Sequence, residues 1–139
     1  MLVVFTQRIG EVRDDPQVDD KYKMVGSKIV DGLFVSKYGG MTGTYDIVVT
    51  MEGYLKLGTG HYYLSNSAPE VMLAGTIEMY KGKVKDITNL SGHYLPNAEQ
   101  TKNYIRILND LGARLSGATL SIYKVEGNKK VLESREKID

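Results

Sequence analysis

Three observations predict an α+β fold, mainly an antiparallel sheet of consecutive hairpins, as a meander or partly closed barrel, with one amphipathic helix at about 97–111. Three segments share one design, in which an apolar, β-rich run meets a polar turn with glycine and a second run follows. One later stretch carries helical spacing between a start signal and a stop signal. The composition, 42% apolar and 25% charged over 139 residues, is that of a globular chain able to bury one core. A single domain over 1–139 follows.

Residues 2–6 read as a short strand of β-branched and aromatic residues. The charged stretch that follows, with Pro16 inside it, reads as a loop over 10–26 with the mobility such composition brings. Residues 28–37 alternate loosely around Ile29, Val30, Leu33, Phe34 and Val35, and the glycines at 39, 40 and 43 then break the pattern. That reads as one strand and a flexible connection.

The hairpins follow as 45–51 with 54–57, 71–80 with 83–88, and 118–125 with 129–132. Their turns hold Glu52-Gly53, Lys81-Gly82 and Glu126-Gly127-Asn128, where glycine supplies the positive φ of a tight hairpin. Between the second and third hairpins, Pro96 and Asn97 open a helix, with Asn97 as N-cap and Gln100 three residues on. Tyr104, Ile105, Leu108 and Leu111 recur along one face and Gly112 offers the stop.

Eighteen Lys and Arg against seventeen Asp and Glu leave a net charge of +1, so bulk electrostatics call for neither nucleic acid nor an anionic membrane. The chain has no cysteine, which excludes disulfides, thiolate metal sites and a thiol nucleophile. The apolar run at 1–5 is too short for a signal-peptide core, and no stretch has the length of a membrane helix. A soluble chain is expected.

Both histidines sit in one setting, Gly60-His61-Tyr62 and Gly92-His93-Tyr94, each after a hairpin. Histidine titrates near neutrality, which makes these segments the first place to look for chemistry. In Ser91-Gly92-His93-Tyr94-Leu95-Pro96-Asn97 the histidine precedes a helix N-terminus, where a phosphate or carboxylate could dock on free N–H groups. The structural alternative is that His93 and Tyr94 pack under the helix as polar pins. Around His61, a strand would place Tyr63 on the same face as the histidine, for stacking or proton transfer, or simply in the core. Glu78 lies on the strand between the two segments, as an acid in a shared concavity or as a solvated strand residue.

Other chemistries lack their signatures. No serine lies in a nucleophile elbow, the glycines at 39–43 lack the Lys-Ser/Thr of a phosphate loop, and no short-range spacing supports a metal site. Lys81, Lys83 and Lys85 read as a solvated face or a weak anion patch, and carboxylate pairs such as Glu70 with Glu78 or Glu52 with Asp86 have no spacing test.

The chain from Tyr45 through Gly60-His61, Ala74-Gly75, Gly82-Lys83-Val84, Ile87-Thr88-Asn89 and Ser91-Gly92-His93-Tyr94 to Pro96 and the helix resembles a small module with a "HHSSFLAG … AAGE … SGHY-x-P" pattern. Such modules are found in C-terminal regions of bacterial polymorphic toxins and in plant IQ-motif calmodulin-binding proteins. The resemblance covers about 45–112, and Ser-Gly-His-Tyr-x-Pro is its specific part. His61-Tyr62-Tyr63-Leu64 replaces the module's His-Ser-Ser-Phe, and Ala74-Gly75-Thr76 replaces its Ala-Gly-Glu.

The resemblance implies a toxin-like effector acting in the cytoplasm of a target cell, exported as part of a larger protein, with a nucleotide or target-cell protein as partner and an immunity protein against it. By analogy with ADP-ribosyltransferase toxins, it implies NAD as cosubstrate with His93, Tyr94, His61 and Glu78 catalytic and Ser91, Gly92, Tyr63 and Asn97 binding. The alternative is a non-catalytic module using the same residues to recognise a small nucleotide or a protein.

Overall fold

The computed structural model describes residues 5–6, 23–66, 68–91, 94 and 96–139, and the side chains of 5, 6, 62 and 63 fall outside that description. It is an α+β arrangement of strands β1 (Phe5–Thr6), β2 (Lys23–Val25), β3 (Lys28–Val30), β4 (Leu33–Ser36), β5 (Gly39–Gly40), β6 (Gly43–Thr50) and β7 (Leu55–Thr59), then β8 (Glu70–Tyr80), β9 (Lys83–Thr88), β10 (Thr119–Glu126) and β11 (Lys129–Lys137). The helices are α1 (His61–Leu64), α2 (Ala98–Lys102) and α3 (Tyr104–Asp110). The main sheet runs β11-β10-β9-β8-β6-β7-β2, with β1 on β8, and is open, so no barrel closes. A second, three-stranded sheet has the order β3-β4-β5.

The hairpins β6–β7, β8–β9 and β10–β11 stand where the repeated design places them. At the β8–β9 turn Lys81 and Gly82 both have positive φ, 50° and 85°, the handedness that matches strand twist. The third hairpin is longer than expected, with β11 running to Lys137. One junction is parallel: β10 lies beside β9, with Leu120 opposite Ile87. The helix between these strands carries the chain back across the sheet, so it re-enters in the same direction.

Three expectations are corrected. Residues 28–37 are two strands, because Asp31 and Gly32, at φ 53° and 83°, make a second tight turn of the same kind. The flexible connection after them includes β5, paired with Val35 and Ser36. The loop expected over 10–26 contains β2, whose Met24 pairs with Gly58, while residues 10–22 lie outside the described part. Of the strand expected over 2–6, Phe5 and Thr6 are described and pair with Val71 and Glu70.

The core lies between one face of the main sheet and the elements that cover it. Ile47, Leu57, Leu73, Ile77, Ile87, Leu120 and Ile122 are buried together with Phe34 of the small sheet and Tyr104, Ile107 and Leu108 of α3. Each such aliphatic side chain contributes about 1.5–3 kcal/mol by leaving water. The helix is bent at Asn103, and its ends are as the sequence signals. Asn97 Oδ1 accepts the Gln100 N–H at 2.8 Å and Gln100 Oε1 accepts the Asn97 N–H at 3.0 Å. At the other end Ala113 N–H bonds Leu108 C=O and Gly112 N–H bonds Asn109 C=O, the paired bonds of a glycine stop. Asn97→Ala removes half of the capping box and should cost about 1 kcal/mol in urea denaturation. An unmoved midpoint would show that the cap carries no stability.

Among the described residues no helix is long and apolar enough to cross a membrane.

Candidate functional site

Strand register sets up the site. Asp46 pairs with Thr76 and Thr44 with Glu78, while Thr76 pairs with Thr88 and Glu78 with Asp86. Directly opposed residues point to the same side, so these six form a polar band on the face away from Ile47, Ile77 and Ile87. Within it the Thr76 and Thr88 hydroxyls bond at 2.7 Å, and Thr88 Oγ1 accepts the Leu90 N–H. On β10, Ser121 is fully buried, donates to Asp86 Oδ1 at 2.8 Å and accepts from Arg135 Nε at 3.0 Å.

His61 is held at one side of this band. It opens α1, a helical turn, where a strand was expected. Gly60, at φ 92°, swings the chain out of β7, its N–H donates to Asp46 Oδ2 at 2.7 Å, and the Leu64 and Ser65 N–H groups close on the carbonyls of Gly60 and His61. The strand alternation that put His61 and Tyr63 on one face therefore does not apply. His61 Nε2 lies 2.6 Å from Gly75 C=O, and since a carbonyl can only accept, that nitrogen carries the proton. Nδ1 faces Asp46 Oδ2 at 3.7 Å, and the ring is 7% exposed. An imidazole so enclosed is an anchor first, because a general base must reach the proton it removes.

The two Gly-His-Tyr segments are joined. Tyr94, fully buried, donates its hydroxyl to Ala68 C=O at 2.6 Å and therefore accepts from Ser65 Oγ at 2.8 Å. Ser65 in turn accepts the Ala68 N–H at 3.1 Å. The segment after the second hairpin is braced further: Ser91 Oγ accepts the Tyr94 N–H, and Ser91 C=O accepts from the Lys130 ammonium at 2.7 Å. Asn89 donates to Tyr123 C=O at 2.9 Å and accepts the Tyr123 N–H at 2.8 Å, so its carboxamide imitates one more residue of the β9–β10 ladder.

Between this braced segment and the β10–β11 hairpin lies a cleft of about 290 Å³. Leu90, Pro96 and Val125 supply apolar wall, Tyr123 an aromatic ring, and Lys124 and Lys130 positive charge against Glu133. Lys124 is held to Glu126 at 3.0 Å, and that hydrogen bond and charge raise its pKa and keep it cationic.

Of the sequence-predicted residues, Ser91, Tyr94 and Asn97 line this cleft, whereas Glu78 is exposed on β8 beside Asp86 and Thr44. His93 and Gly92 lie outside the described residues, as does the side chain of Tyr63. At the helix N-terminus where an anion was expected to dock, Asn97 Oδ1 takes the Gln100 N–H. Sequence reasoning missed Asp46, Asn89, Tyr123 and Lys130, whose roles depend on register and on contacts 14 to 39 residues apart. It also missed that Glu78 and Asp86 are opposed. No three metal-capable side chains cluster among the described residues. Compared with protein-family models, curated proteins and solved structures, the chain matches none.

Proposed function

We propose that this protein is a recognition module that binds a small nucleotide-type ligand in the cleft between residues 89–98 and the β10–β11 hairpin, without turning it over. The carrying observation is the cleft itself, which sets an aromatic ring, apolar wall and two ammonium groups beside Ser91 and Tyr94. A base can lie against Tyr123, and a phosphate can meet Lys124 or Lys130. A volume of about 290 Å³ is at the small end for ligand sites and suits one nucleoside unit better than a whole dinucleotide such as NAD.

Binding is favoured over catalysis by how the polar groups are used. The Ser65 and Tyr94 hydroxyls and His61 Nε2 all bond protein atoms, and Glu78 stands exposed on β8. The effector role implied by the toxin resemblance is compatible with a module that sequesters its ligand.

Thermal-shift and calorimetric titration with AMP, ADP and NAD should show saturable stabilisation by a mononucleotide. Tyr123→Ala should weaken it about three- to tenfold, and His93→Ala, which the sequence pattern singles out, should remove it. A flat titration overturns the proposal. So does consumption of NAD by the native chain, which would restore the enzymatic reading.

A further inference from the structure

A second concavity, of about 750 Å³, lies where β2, the small sheet and the start of β6 meet. Its lining includes Lys28, Lys37, Tyr38, Tyr45 and Thr42, and no carboxylate is among the lining residues. Lys28 is paired with Val35 of β4 and Lys37 lies in the turn that follows β4, and both line the concavity while Phe34 faces the core. Two cations with no carboxylate among the described lining residues raise the potential inside a concave surface, where they attract an anion.

The aromatic part is as pointed. Tyr38 is 87% exposed, yet it is not left loose: its N–H donates to Ser36 Oγ at 3.1 Å, and the Lys37 ammonium sits 5.1 Å from its ring centre. Tyr45 donates its hydroxyl to Thr42 C=O at 3.2 Å. The floor is closed by Met41 N–H to Phe34 C=O and tied to the β8–β9 turn by three bonds, Gly82 N–H to Met41 C=O, Phe34 N–H to Gly82 C=O and Lys81 N–H to Thr42 Oγ1. Gly40 permits that docking, since a Cβ there would lie 2.8 Å from the Lys81 carbonyl. The site is therefore built before any ligand arrives, which limits the ordering cost of binding.

We infer that this concavity is a second ligand site, separate from the cleft at β10–β11, for a small organic anion carrying a planar ring. The ring lies against Tyr38 and the anionic group meets Lys28 and Lys37. The two concavities share no lining residue, so a ligand in one leaves the other free.

The test is titration of the full chain with phenyl phosphate, inorganic phosphate and phenol, followed by calorimetry and by backbone amide shifts. Phenyl phosphate should saturate, with shifts confined to residues 26–45. Each half-ligand should bind at least about tenfold more weakly, because each keeps one of the two contacts. Tyr38→Ala should lower phenyl phosphate affinity about three- to tenfold, and Lys28→Gln with Lys37→Gln should lower it about tenfold or more. These side chains are exposed, so the variants should keep the native circular dichroism. Absence of saturation, shifts centred on residues 89–98 and 123–133, equal affinity for inorganic phosphate or phenol, or unaltered binding by the variants would each overturn the assignment.

Discussion

Tyr104→Phe is expected to cost about 2–6 kcal/mol of stability, although it removes a single oxygen and leaves the ring's shape intact. The reason lies in the flank of β8. Phe5 of β1 pairs with Val71 and Thr88 of β9 with Thr76, and between these points no described strand covers that edge. The Tyr104 hydroxyl fills the gap, donating to Ala74 C=O at 2.5 Å and accepting the Ala74 N–H at 3.3 Å. Both residues are fully buried, so in the variant water does not replace the lost partner. Two stranded backbone groups at about 1–3 kcal/mol each set the magnitude. Tyr45→Phe is the control, because that hydroxyl makes an exposed bond and its loss should stay within about 0.5 kcal/mol. Urea midpoints decide, and equal shifts for the two variants would refute the edge-filling role.

The same hydroxyl has an alkaline signature. Burial pushes the Tyr104 phenol well above its ordinary value near 10, and the hydrogen bond to Ala74 lowers it by less. Above pH 10 the unfolded chain therefore loses this proton while the folded chain keeps it, so the folded state binds more protons and stability falls as pH rises. Below pH 10 the contribution is complete and flat. The slope from this one group approaches about 1.4 kcal/mol per pH unit. Tyr104→Phe lacks it, and the gap between native and variant should narrow between pH 10 and 12.

How far the sequence could be read depended on whether a signal was local. Lys81-Gly82, Glu52-Gly53 and the Asn97–Gln100 box each fix their own geometry within a few residues, and hairpins and helix stand where those signals put them. Asp31-Gly32 carries the same turn chemistry, but it interrupts an apolar run and was hidden by it. Gly60 is ambiguous in sequence, and what turns His61 into a helical start is the Asp46 carboxylate 14 residues earlier. The parallel β9–β10 junction follows from the intervening helix, which was legible, while its register is held by Asn89, which was not. The candidate site was therefore legible as residue types near Ser91–Asn97, and its other wall, Tyr123 with Lys130, was supplied by a hairpin whose sequence looks generic.

Gly75→Ala should be the more damaging small change in the chain's centre, costing about 3 kcal/mol or more and preventing stable folding if the protein is marginal. A Cβ at this position would lie 1.9 Å from Thr88 C=O and 2.9 Å from its carbon, a clash with backbone that no rotamer relieves. Neither strand can yield freely, since β8 is paired with β6 through Ile47 opposite Gly75 and with β9 through Thr88 opposite Thr76. Displacing Gly75 would also move the carbonyl that receives His61 Nε2–H, loosening α1 from the sheet. Gly26→Ala provides the contrast: nothing lies within 4 Å of its Cβ direction and its φ is not positive, so its thermal midpoint should hold. If Gly75→Ala also holds, β8 and β9 are not packed as described. The outcome bears on the toxin resemblance as well. Ala74-Gly75 is one of its shared pairs, yet here both residues are explained by packing, the alanine's backbone by Tyr104 and the glycine by the approach of Thr88. A motif kept for strand geometry reveals itself in stability, so ligand binding per folded molecule should be altered by substitutions at Tyr123 and His93 and not by repair or loss of this pair.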